Sequence, residues 1–478
     1  MQMKKMKRFK LLFSVLLILA VLLAACGGSN DVNNNENMNE NMNENMNNEP
    51  APEPTDVPEP TEVPEMYPTD GLAGTEITFW HAMSSGVNLE GMDALVAKFN
   101  AENEYGISVV AVSQGRQGDL ETAINGAIAT GELPNLTMGF PNGLTRWYDL
   151  GVIAGLSDYI ADPMVGLSED VLAGIYAGPY SSGTLADGTQ VGIPMHQSAQ
   201  VIFYNNSYAE DLGFAAPPAT SEEFKAQACA AAEFNNSDDD AENDGTGGLV
   251  YYPDASFVSP WIWAFGGEYV TEDGSAYDLN NSAVYDVAVF LKDLFDNGCT
   301  LTTPSYPNPE FAARQALFAV SSTAGIPFQG YAMSDVESTD VWSTIPFPGP
   351  DGTLAVNSFG QMIGVIESNA DQDLASWLFL KWLTSPETQS EWVGYTGYFP
   401  SQDGVDVGTR ATDDPIWGGA LELLAVGQGE PNLPAHGSVR GEIRSAFFAV
   451  IEAADGDAIQ AILDELNQTA ADLVAETE

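Results

Sequence analysis

The amino-acid sequence predicts an α/β protein built in more than one lobe, and three observations carry that expectation. Between residues 76 and 140, short β-branched and aromatic runs alternate with helical periodicity, in the order strand, helix, strand, helix, strand that a parallel sheet with right-handed crossovers produces. At 478 residues the chain exceeds what one hydrophobic core ordinarily serves, so two or three lobes are expected. Late in the chain, Leu374, Trp377, Leu378 and Trp382 recur at helical spacing, and Phe379, Leu380 and Leu383 fill the remaining circumference, which predicts a helix buried on several sides.

Taken in order, residues 1–26 read as an export signal: Lys4, Lys5, Lys7, Arg8 and Lys10 precede an apolar run over 11–25 that is short for a membrane span. The junction Leu23-Ala24-Ala25-Cys26-Gly27 resembles the bacterial lipobox, which implies lipidation of Cys26 and anchoring at the extracellular face of the cell membrane. Residues 27–75 are Asn/Glu/Met-rich and then Pro/Glu/Thr-rich, cannot bury a core, and are expected to be a disordered tether.

Charge excludes whole classes of partner. The chain carries 68 acidic residues against 15 Lys and Arg, five of them in the leader. Such a surface repels phosphate backbones and anionic headgroups, so nucleic-acid binding is excluded, and the acids serve solubility. Beyond Cys26 two cysteines remain, Cys229 and Cys299, expected to form a disulfide in an exported protein.

The folded part opens with a strand at 76–81, a helix at 89–100 with Leu95, Val96 and Phe99 as its apolar stripe, a strand at 107–112, a helix at 120–130 and a strand at 135–140. Ligands of such sheets sit beyond the carboxyl ends of the strands, which makes Trp80, His81, Gln114, Arg116 and Asn142 candidates. A strand-like run at 192–205 leads to a helix near 224–233, an acidic loop at 238–248, an aromatic stretch at 257–269 containing Trp261, Trp263 and Gly267, and a helix at 281–297. In the helix pair of 373–400, Ser385 offers an N-cap oxygen, Pro386 suits the first helical position and Glu387 the first turn. An amphipathic helix follows Asp455.

The apolar helix, the Ser385-Pro386-Glu387 restart and the exit through Gly397-Tyr398-Phe399-Pro400 together resemble the signature of the family 1 extracellular solute-binding proteins, the lipoprotein receptors of ABC importers for sugars and glycerophosphate compounds. The run 311–320 resembles that family's Ala-Phe-x-x-Gly-x-x-Ala-Met motif, although its usual Trp-Ala-Leu-Pro continuation is Ala324-Gly325-Ile326-Pro327 here, without the customary ligand-facing Trp. The resemblance covers about residues 75–475. It implies a two-lobed periplasmic-binding-protein-like fold of type II with three interlobe crossovers, an N-terminal lobe of 76–197 and 316–365, and a C-terminal lobe of 198–315 and 366–478. It further implies a monomer without cofactor that delivers a small molecule to ABC permease subunits.

Catalytic signatures are missing: there is no Gly-x-Ser-x-Gly elbow, no His-Glu-x-x-His and no Walker loop, and His81, His196 and His436 do not sit at metal-ligand spacing. With 68 acids some carboxylate pairs arise by chance, which keeps a secreted glycoside hydrolase as the rival reading. Asp240, Glu242, Asp244 and Gly245 fit the start of a calcium loop, but its twelfth position is Tyr251, so a solvated turn and no metal site is expected. Sugar faces stack on aromatics, which adds Phe359 and Tyr398 to Trp80, Trp261 and Trp263. Arg440, in the segment 435–441, resembles the Gly-Val-Arg turn with which glycerol-3-phosphate-binding members hold phosphate. That branch would also carry Tyr where Ser113 stands and an acid where Phe140 or Pro141 stands, so a carbohydrate is the expected ligand and a glycerophosphate the alternative.

Overall fold

In the computed structural model the described residues are 66–477, less 186, 304 and 305; the expected export signal, Cys26 and the tether through residue 65 lie outside them. Residues 66–75, assigned to the tether from composition, belong to the folded body: Leu72 is buried in its core, and Tyr67 stacks on Tyr159 with ring centroids 4.4 Å apart. Two apolar side chains dock a stretch that otherwise reads as linker.

The strands are β1 (Glu76–His81), β2 (Ser108–Ser113), β3 (Leu136–Gly139), β4 (Ile193–Pro194), β5 (Ser198–Asn205), β6 (Gly247–Tyr251), β7 (Thr300–Thr302), β8 (Ala316–Ser322), β9 (Trp342–Ile345), β10 (Phe347–Pro348), β11 (Leu354–Phe359), β12 (Met362–Val365) and β13 (Gly427–Gly429). They form two sheets. The first runs β2-β1-β3-β12-β4, in which β1, β2 and β3 are parallel while β12 is antiparallel to both of its neighbours. The second runs β10-β11-β5-β8-β6-β7, with β13 also on β11 and β9 also on β5. Helices bury both faces of each sheet, the arrangement that parallel strands require. Ile77, Phe79, Leu136 and Met138 head the first core. Phe224, Trp261, Leu291 and Phe318 lie on one side of the second sheet, and Phe203, Phe311 and Trp342 on the other.

The lobes divide the chain differently from the sequence expectation. β8 and β11 sit in the second sheet, so 316–359 belongs to the second lobe, and only β12 returns to the first. The helices Ala370–Leu383 and Pro386–Thr396 pack on the first lobe: Phe379 meets Phe79 and Phe99 edge-on at 5.8 and 4.9 Å, and Trp377 Nε1 donates to the Val165 carbonyl at 3.0 Å. An all-round apolar helix reveals that it is buried but not in which core. Its ends follow the local chemistry: Ser385 Oγ accepts from the Thr388 amide, Pro386 is the first helical residue, and Gly397 at φ 77° closes the second helix. In the second lobe Cys229 and Cys299 are disulfide-bonded, closing a 70-residue separation.

The chain passes between lobes three times: between β4 and β5, between β11 and β12, and beyond Phe399. These passages lie side by side. Gln197 and Phe399 exchange backbone hydrogen bonds of 2.9 and 3.0 Å, joining the first to the third. At the second, a Cβ on Gly360 would collide with the His196 carbonyl oxygen and the Gln197 amide, so only glycine permits the contact. Adjacent passages of this kind are where two lobes can turn about one another as a hinge.

Candidate binding site between the lobes

A cavity of about 450 Å³ opens between the lobes beside that hinge. The first lobe contributes Phe140, Pro141 and Asn142 from the carboxyl end of β3, together with Glu121. Gln200, Ser322, Ser358 and Phe359 come from strands of the second sheet, Asp254 and Ser256 from the start of the helix Ala255–Ala264, and Glu430, His436 and Arg440 from the last quarter of the chain. Gln197 also lines it and, although buried, its amide oxygen has no hydrogen-bond partner. Buried amide oxygens are nearly always satisfied, so this one is suited to a ligand hydroxyl or a water.

Glu430 organises the polar wall. Its Oε1 accepts from Ser256 Oγ at 2.8 Å and Asn357 Nδ2 at 2.6 Å, while its Oε2 faces His436 Nε2 at 2.9 Å and pairs with Arg440 Nη1. Arg440 Nη2 donates to Ser256 Oγ at 2.9 Å, and His436 Nδ1 is 2.8 Å from the Tyr277 hydroxyl. Burial alone would raise the Glu430 carboxyl, but the Arg440 charge and then the His436 hydrogen bond hold it well below the usual carboxylate range. The two oxygens already carry four partners, so Glu430 neutralises and aims Arg440 and has little capacity left for a ligand. Asp254 differs: its Oδ1 caps the Phe257 amide at 2.9 Å, and burial raises the carboxyl above its ordinary value despite Arg440 nearby. Counting Glu121, Asp254 and Glu430 against Arg440, the wall is net acidic.

A second hollow of about 370 Å³ shares Phe140, Ser322, Phe359 and Gly360 with the first. Met83, Ser84 and Ser85 beyond β1, Arg116 and Gln117 beyond β2, His196 and Tyr398 line the rest. The His196 ring lies 4.0 Å from that of Tyr398; its Nδ1 is unpaired, and burial lowers its pKa to about 3, so the ring is neutral.

Of the residues nominated from sequence, Arg116, Asn142, Phe359, Tyr398 and Arg440 line these hollows. Trp80, His81, Gln114, Trp261, Trp263 and Gly267 do not. Every residue of the helix Ala255–Ala264 is buried, which puts Trp261 into the second core, 5.1 Å from the rings of Phe224, Phe290 and Phe347. Trp263 is also buried, with its Nε1 donating to Glu268 at 3.0 Å. At Gly267 a Cβ would strike Ala283, so this glycine serves helix packing. Trp80 packs on the first core, Gln114 is half-buried outside both hollows, and His81 is fully buried, its Nδ1 accepting from the Met83 amide at 3.3 Å and its pKa lowered by burial to about 4. Asp254, Ser256, Gln197, Gln200 and Glu430 went unnoticed because nothing local separates them from many similar residues. Glu430 stands only ten positions before Arg440, and that proximity was the one available signal. Asp238 and Asp240 accept hydrogen bonds from their own loop, and no group of three His, Cys, Asp or Glu among the described residues is placed to hold a metal ion.

Comparison with known proteins agrees with this architecture. A model of the bacterial extracellular solute-binding proteins matches residues 94–417. A binding protein of Brucella abortus is 23% identical over 262 residues, 54% of this chain, and the chain spans 60% of that relative's length. The maltotriose-binding protein of Pyrococcus abyssi is 22% identical over 82% of this chain and 81% of its own. The sn-glycerol-3-phosphate-binding protein of Agrobacterium fabrum is 29% identical over 32% and 34%. Among solved structures, the cyclic α-maltosyl-1,6-maltose binding protein of Arthrobacter globiformis superposes with a TM-score of 0.71 at 23% identity, covering 84% of this chain and 99% of its own. With a family match over more than half its length and two lobes around a hinged cleft, the chain belongs to the bacterial extracellular solute-binding proteins.

Proposed function

We propose that this protein is the receptor of an ABC importer, capturing a carbohydrate between its lobes and handing it unchanged to a membrane permease. The observation that carries the reading is the cavity walled by both lobes. There the Phe140 and Phe359 rings offer faces for sugar rings, and the amides and carboxyls of Asn142, Gln197, Gln200 and Asp254 suit hydroxyls. Arg440, the group a phosphate would seek, is already neutralised by Glu430. Relatives named for maltotriose and maltosyl-maltose binding support the same class. Ligand contacts on both lobes stabilise the closed form, and a permease that reads closure would respond to the loaded receptor. A lipid at Cys26 would hold a monomeric receptor at the extracellular face, and the cleft would perform no catalysis.

A glycerophosphate ligand is the second reading, favoured by the place of Arg440 in the wall and by the Agrobacterium relative. A thermal-shift screen with maltotriose and glycerol-3-phosphate separates the two, because a ligand at 100 times its Kd stabilises the fold by about 2.7 kcal/mol. Stabilisation by maltotriose without release of shorter sugars on prolonged incubation is expected. A response to glycerol-3-phosphate alone would reverse the assignment, and sugar hydrolysis would move the protein to the glycosidases.

A further inference from the structure

The two arginines of the cleft are in opposite electrostatic states. Arg440 is paired with Glu430, whereas the Arg116 guanidinium makes no salt bridge among the described residues, in a chain with 68 acids available to supply one. Arg116 lines the second hollow where two helices begin, Gly86–Glu102 and Gln117–Thr130, so their positive dipole ends add to its charge. Ser85 caps the first of these with no side-chain hydrogen bond; at the second, Asp119 takes the Arg116 amide. A separate observation bears on the same hollow: His196, 2% exposed and among its lining residues, keeps Nδ1 without a partner. Among the described residues, a buried imidazole nitrogen and a guanidinium that line one hollow and both lack a side-chain partner are polar groups whose hydrogen bonds the protein itself does not complete.

We infer that the second hollow is a subsite for an anionic group carried on the saccharide, a uronate carboxylate or a sugar phosphate, while neutral rings occupy the larger cavity. The inference rests on the carbohydrate reading above and narrows it to acidic oligosaccharides. The two hollows adjoin along Phe140, Ser322, Phe359 and Gly360, and in this reading one ligand reaches across that shared edge.

Calorimetric titration of the protein with maltotriose, with maltotriose bearing a terminal glucuronate and with its 6-phosphate tests this. One or both acidic forms should bind about tenfold tighter than maltotriose. That advantage should shrink with salt, vanish in Arg116→Gln and survive in Arg116→Lys. The arm that gains identifies carboxylate or phosphate as the group. Because Arg116 is exposed, neither variant threatens folding. Equal or weaker binding of both acidic forms, or an advantage that persists in Arg116→Gln, overturns the subsite while leaving the carbohydrate reading intact. Failure of all three sugars to bind removes the carbohydrate reading, and the subsite with it.

Discussion

Glu430 shows how one side chain can set the charge of a cleft wall. Its carboxyl is held below its ordinary pKa, so it contributes stability at every pH above about 4.5, and that contribution is lost as pH falls through its lower folded value. Glu430→Gln should therefore lower the melting temperature at pH 7 and narrow its gap to the parent as the pH is taken from 6 toward 3. Breaking a buried pair costs on the order of 3–5 kcal/mol, less whatever the retained amide hydrogen bonds recover. Since the change also uncovers Arg440, glycerol-3-phosphate should bind the variant more tightly than the parent in direct titration. Gly360 decides the hinge by having no side chain: Gly360→Ala would drive a Cβ into the His196 carbonyl and should cost about 1–3 kcal/mol in chemical denaturation. Of these roles sequence disclosed Arg440 alone. A glutamate among 68 acids, or a glycine among 46, carries no local mark of what it touches.

Helices and strands were more legible than their addresses. The Ser385-Pro386-Glu387 restart, the closure at Gly397 and the periodicity of 374–383 all appear in the fold, because caps and apolar faces are written within a few residues of where they act. Which lobe the helix Ala370–Leu383 joins was not readable, since both cores present the same apolar chemistry. Trp377→Ala should cost about 3–5 kcal/mol by emptying a site in the first core, and limited proteolysis should then cut first within 72–194 or 362–400. Cutting in the second lobe instead would contradict the packing described. The disulfide makes the complementary case. Replacing Cys229 and Cys299 with serine should remove about 4 kcal/mol from the second lobe on the chain-entropy model, with sugar affinity unchanged because neither cysteine lines the cleft.

At the scale of the molecule, two sheets joined by three adjacent strands predict a motion. Saturating maltotriose should reduce the radius of gyration seen by small-angle scattering, and Gly360→Ala should blunt that change; a ligand that binds without compaction would argue against closure. The net charge of −53 over the whole chain predicts that moderate salt stabilises the protein by screening self-repulsion, readable as a rise in melting temperature. Sequence alone determined the α/β class, the caps of the helix pair at 370–396 and the strand ends at which part of the cleft is found, because each depends on residue type or spacing. Only the tertiary structure decided that Trp261 and Trp263 belong to a core, that β8 and β11 share a sheet with β5, and that Glu430 pairs with Arg440 while the Arg116 guanidinium makes no salt bridge among the described residues. Those outcomes depend on which distant segments meet, and contact between residues far apart in the chain leaves no trace in either one's neighbourhood.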